Sequence, residues 1–130
     1  MAFEILVLIG RILVGVFFIN SGVNHFIRQK QLVPYAQSKG VPAAKFFVMF
    51  SGVLILLAGL SILLGVLPQI GVLLVAAFLL PVSLVMHNFW SITDPQQKMV
   101  EMISFMKNMA LLGSALMFLG IATPWAFSLF

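Results

Sequence analysis

From Lys45 to Asp94 no charged side chain interrupts the chain. An apolar run of that length is too long for a single helical crossing, since about 20 residues span the roughly 30 Å of bilayer hydrocarbon. It must therefore turn back on itself, and Gly65, Pro68 and Gly71 supply a tight connection between two antiparallel spans. Membrane β-strands need only about ten residues of alternating polarity. Inside lipid every backbone polar group must be satisfied within the protein, which leaves helices. The predicted fold is all-α, an integral membrane four-helix bundle.

Composition agrees. The 130 residues are 62% hydrophobic and 8% charged, whereas a water-soluble domain carries about a quarter charged residues. Besides His25, His87 and Tyr35, the ionisable side chains are Glu4, Arg11, Arg28, Lys30, Lys39, Lys45, Asp94, Lys98, Glu101 and Lys107. They are too few to coat a soluble globule, and the length allows one domain, residues 1–130. The predicted spans are about 5–25, 46–67, 70–90 and 99–122. The first is expected to be retained, because Glu4 stands where a secretory signal would be basic and no A-x-A-like cleavage site follows. Residues 27–42 are basic and broken by Pro34, Gly40 and Pro42, which suits a segment at headgroup level with one short helix. Pro81 removes a backbone donor within span three and is expected to kink it.

With no cysteine, the chain can build no disulfide, thiolate metal site or iron–sulfur cluster. Its net charge of +4 lies in segments flanking the spans, without the aromatic-interleaved basic face of a nucleic-acid binder. The lipid bilayer is the expected partner. Arg28, Lys30, Lys39 and Lys45 flank one loop and Lys98 another, both on the same side. The positive-inside rule thus predicts a multi-pass cell-membrane protein with both termini outside the cytoplasm. Tyr35 and Trp90 would then mark the inner aromatic belt and Trp125 the outer.

Polar groups within spans are costly, so they are candidates for function. Asn20, Asn24 and His25 close span one, His87, Asn88 and Trp90 close span three, and Glu101, Ser104, Lys107 and Asn108 open span four. These three helices contribute one polar layer, and Asn20, His87 and Asn108 are expected to share a network, directly or through water. Simpler accounts stand beside each residue. Asn20 and Asn24, four apart on one face, can hydrogen-bond a neighbouring helix. His25 suits the headgroup level and Trp90 an interfacial anchor. Glu101 and Lys107 lie about 240° apart around a helix and do not face each other, whereas Glu101, Phe105 and Asn108 share a face. Arg11 either snorkels outward or binds carbonyls freed in a neighbouring helix. No metal site is expected, since two histidines and distant carboxylates lack ligand spacing. The methionines fit ordinary packing. Ser51, Gly52, Ala58, Gly59, Ser61 and Gly65 give span two a small-residue surface for close helix contact.

Five blocks in order, GRILVGVFFINSGVNHF (10–26), YAQSKGVPAAK (35–45), SGVLILLAGLSILLG (51–65), MHNFW (86–90) and FMKNMALLGSAL (105–116), resemble the DoxX family. Relatives of this kind are small four-helix membrane proteins. Some are associated with quinone-linked sulfur oxidation, terminal quinol oxidases or membrane oxidoreductase complexes, and others with methylamine-utilisation assembly or plant lesion induction. The resemblance maps the family pattern onto Arg11, Asn20, His25, His87, Trp90, Lys107 and Asn108. It also marks departures: Ser51 replaces a frequent glutamate, and Val66-Leu67-Pro68-Gln69 replaces a threonine-arginine pair. What it implies, together with the polar layer, is an accessory subunit of a quinone-linked membrane redox complex. With no nucleophile–base pair and no cofactor motif in the sequence, the chain is not expected to be catalytic alone or to bind a cofactor covalently. A quinone would be its ligand, and redox-enzyme subunits or further copies of the chain its partners. The alternatives are a small oligomeric permease or proton pathway, and a structural or assembly protein.

Overall fold

A computed structural model describes residues 1–129. The helices are α1 (Ala2–Ile27), α2 (Gln29–Ser38), α3 (Ala44–Leu64), α4 (Pro68–Met86) and α5 (Pro95–Phe118), with a short 3-10 turn at Phe89–Ser91. Among the described residues there is no strand. Packing runs from α1 to α3, α3 to α4 and α4 to α5, with the short α2 lying against α3. Three helical segments, Ala2–Ile27, Ala44–Leu64 and Pro68–Ser91, are long and apolar enough to cross a membrane. The fourth member of the bundle, α5, matches them with 24 residues, but Lys98, Glu101 and Lys107 lower its hydropathy.

Helix boundaries follow local chemistry. Asp94 caps α5 by accepting the Gln97 N–H at 2.9 Å, with Pro95 in the first turn. The helix consequently starts before the expected residue 99 and ends at Phe118 rather than 122. The main helix of the third span ends at Met86 rather than running to 90, and α4 continues unbroken through Pro81. Between α3 and α4, Gly65 takes a positive φ of 70° that side chains disfavour. Ser61 Oγ seals this turn by donating to the Val66 carbonyl at 2.6 Å.

Lipid offers little hydrophobic force between helices, so their association depends on close packing. The small-residue face of α3 provides it. A methyl group added at Gly59 would lie 2.8 Å from the Gly15 carbonyl, and one at Gly22 would lie 2.9 Å from the Gly52 carbonyl. From Gly15 to Gly22 along α1 the contacts step back from Gly59 to Gly52 along α3, an antiparallel register with backbones in contact. Phe18, Ile55, Ala58, Ile62, Val72, Val75, Leu79, Ala115 and Trp125 form the core. Leu13, Phe46, Leu73 and Met117 face outward, as lipid permits. Trp125 does not form an outer belt: it is 3% exposed and stacks edge-on against Phe118 at 6.1 Å, because the segment after α5 folds back across the end of the bundle.

Candidate functional site

Three helices, α2, α4 and α5, bring polar side chains together at the end of the bundle where α4 closes and α5 opens. The first turns of α5 carry Glu101, 7% exposed. From α2, the Tyr35 hydroxyl donates to Glu101 Oε1 at 2.7 Å and lies 3.2 Å from the Met86 carbonyl. A phenol has one proton, and the shorter contact to the carboxylate takes it. At the close of α4, His87 Nδ1 meets Glu101 Oε2 at 2.9 Å. Two donors therefore converge on one buried carboxylate, one on each oxygen. Such pairing is what makes burial of a charge tolerable in a low dielectric.

The surroundings are charged and aromatic. Lys39, at the C-terminal boundary of α2, donates from Nζ to Asn88 Oδ1 at 2.9 Å and sits 5.8 Å from the Tyr35 ring centre. Burial, the bond to Glu101 and the carboxylate's charge, in that order, push the Tyr35 phenol well above its usual range. It therefore stays protonated and remains a donor. With Nδ1 of His87 engaged on the carboxylate, Nε2 is the ring nitrogen left to accept or give a proton. Phe89, Trp90 and Phe105 pack edge to face beside this cluster, at centre distances of 5.3 to 5.7 Å.

The other candidates lie apart. His25 Nδ1 is 2.7 Å from the Ser21 carbonyl of its own helix, and its ring packs against Phe78 at 5.7 Å. Asn108 is buried, Asn24 half-buried and Asn20 exposed. The three asparagines form no side-chain hydrogen bond among the described residues. A direct network of Asn20, His87 and Asn108 is therefore absent, because His87 turns to Glu101 instead. Ser104 is half-buried, and Lys107 is exposed with Nζ 5.8 Å from the Phe17 ring centre.

Arg11, at the opposite end, is 2% exposed and turns inward rather than snorkelling. Nε donates to the Ile62 carbonyl at 3.2 Å, Nη2 to that of Leu63 at 2.9 Å, and Nη1 to that of Ala126. Leu129 N–H donates to the Leu64 carbonyl at 2.8 Å, and the Gly65 N–H donates to that of Ser61. All four terminal carbonyls of α3, orphaned by helix geometry, are thereby satisfied. The helix dipole leaves partial negative charge at this end, where the guanidinium sits.

Sequence reasoning gave Tyr35 and Lys39 no place in the site, treating them as residues of the membrane surface. Their spacing of four, with Tyr35 the chain's sole tyrosine, was the available signal. It also passed over Ser83, fully buried, with no partner for its hydroxyl among the described residues and one turn before His87. Among the described residues no cluster of three or more His, Asp or Glu side chains could hold a metal.

A family model described as DoxX matches residues 6–88. That stretch contains Arg11, Tyr35, Lys39 and His87 and stops before Glu101. A protein of Mycobacterium tuberculosis described as an uncharacterized membrane protein is 38% identical over 61 residues, which are 46% of this chain and 37% of that protein. The chain thus matches well under half the length of this relative. No solved structure matches.

Proposed function

This chain belongs to the DoxX family of membrane proteins, and from that premise we propose that it is an accessory subunit of a quinone-linked membrane redox complex, seating a quinone-like ring at the Glu101 cluster. The observation that carries the reading is the buried carboxylate held by a phenol and an imidazole from two other elements. A quinone ring exchanges electrons together with protons at its two oxygens. A site for it needs a donor for those oxygens, a route for protons and apolar rings to pack against. Protonated on both ring nitrogens, His87 supplies that donor from Nε2 while Nδ1 stays on Glu101, and Phe89, Trp90 and Phe105 supply the apolar rings. A hydrogen bond to a neutral carbonyl contributes about 1 kcal/mol net and more as the oxygen gains charge. In this reading both termini lie outside the cytoplasm and the Glu101 end faces in, because the basic residues gather there.

Quinone-analogue affinity in nanodiscs tests the proposal. His87→Ala should weaken binding several-fold at temperatures where both chains are folded, and should also lower the melting temperature, because Glu101 loses one of its two donors. Equal affinities for native and variant chains, or binding by neither, would overturn it. A scaffold reading would then lead, supported by the same hydrogen bonds, since they tie α2, α4 and α5 together. It expects Glu101→Gln to lower stability with no ligand effect.

A further inference from the structure

Lys107 is not part of the Glu101 cluster, and its environment is unusual for a membrane protein. Its ammonium lies 5.8 Å from the ring centre of Phe17, near the middle of the 26-residue α1. Phe17 is roughly 22 Å from Ala2 and 15 Å from Ile27 at helical rise. A positive charge thus stands near mid-membrane depth on an exposed side chain. Among the described residues it makes no ion pair, the one such contact being that of His87 with Glu101. Asn20, one turn along from Phe17 on the same face of α1, is also exposed and makes no side-chain hydrogen bond among the described residues. Ionisable groups at this depth ordinarily face protein or water and find a partner.

The chain cannot supply that partner. It has three carboxylate side chains. Glu4 lies in the first turn of α1 and Asp94 caps α5, so both stand at helix ends, far from Phe17 in depth. Glu101 is already occupied by Tyr35 and His87. A second copy would bring the same three groups at the same depths, and lipid phosphates lie at the membrane surface. We propose that the face formed by Phe17, Asn20 and Lys107 docks a transmembrane helix of another protein carrying an aspartate or glutamate near its middle. Lys107 would pair with that carboxylate, and the Asn20 amide would donate to it. This inference does not depend on quinone binding at the Glu101 end, and the two can fail separately.

The test uses the full chain in lipid vesicles with designed leucine-alanine transmembrane helices bearing a single central Glu, Gln or Leu, their association read by energy transfer. The Glu helix should associate on the order of fivefold to tenfold more tightly than the Gln helix, as expected for a polar pair in a membrane. Lys107→Leu should abolish that preference, Lys107→Arg should keep it and Asn20→Ala should reduce it. Because these side chains are exposed, the variants should melt like the native chain. Equal binding of Glu and Gln helices to the native chain overturns the proposal, as does a preference that survives Lys107→Leu. Self-association that depends on Lys107, without any preference for the Glu helix, assigns the face to a second copy and also overturns it.

Discussion

Replacing Arg11 by leucine takes three donors from carbonyls at the end of α3 and in the segment after α5. Unsatisfied groups in low dielectric each cost on the order of 1–3 kcal/mol. The loss of a buried charge offsets part of this, so a net destabilisation of about 2 kcal/mol is expected. Titration of the folded protein with a denaturing detergent measures it, and proteolysis after residue 122 should quicken as Trp125 loses its cationic neighbour at 5.5 Å. At the other end, Tyr35 offers a clean spectroscopic handle, as the chain has one tyrosine. Its phenol is held above its ordinary value by burial first and by Glu101 second, so phenolate absorbance should appear only at pH well above 10, the usual range for tyrosine. In Glu101→Gln the burial remains while the charge is gone, and the titration should move down without reaching the value of free tyrosine. A raised phenol also fixes the sign of the linkage. The folded state holds the proton more tightly, so this contribution to stability is fully present below about pH 10 and lost as pH rises above it.

At the scale of elements, the contact between α1 and α3 has almost no slack. Gly59→Ala places a methyl 2.8 Å from the Gly15 carbonyl and from Ile19, so the helices must separate and the surrounding packing is lost. Gly113→Ala, in α5, meets nothing within 4 Å and should be neutral or slightly stabilising, since alanine is the better helix former. Melting of the two variants in one detergent should therefore diverge, with Gly59→Ala the lower by at least 1 kcal/mol in unfolding free energy, a typical cost of overpacking. These long elements were legible in the sequence because apolar runs, Gly65-to-Gly71 punctuation and small-residue spacing are local signals. The α3 face of Gly52, Ala58 and Gly59 could be read directly. The site was legible only in part. His87 and Glu101 stood out as polar groups in apolar helices, but nothing local joins Tyr35 to Glu101, since their pairing depends on how α2 folds back onto the bundle. Arg11 left two options in the sequence because the geometry of its carbonyls exists only once α3 ends beside it. Trp125 was misplaced for a related reason: an aromatic residue after the last span suggests the interface, and only the folded-back tail buries it.

For the whole molecule, the distribution of charge predicts an orientation, and the fold bears on which charges count. Arg28, Lys30, Lys39, Lys45 and Lys98 all belong to the end that holds Glu101. Arg11 is the basic residue at the other end, yet it is buried on helix carbonyls. Such a charge is satisfied inside the bundle and does not serve as a loop charge of the kind that governs insertion. Discounting it leaves the bias entirely on one side, and both termini should then face away from the cytoplasm. The absence of cysteine makes this directly measurable, because any thiol introduced is the sole thiol. A cysteine at Ala2 and one at Lys30, both exposed positions, should behave oppositely toward a membrane-impermeant maleimide applied to intact cells. The Ala2→Cys chain should be labelled at once and the Lys30→Cys chain only after permeabilisation. The reverse pattern would invert the orientation, setting the Glu101 cluster and any ring bound there toward the outer face. Labelling of both in intact cells would mean that the chain inserts in two orientations, and that five basic residues at one end do not set its direction.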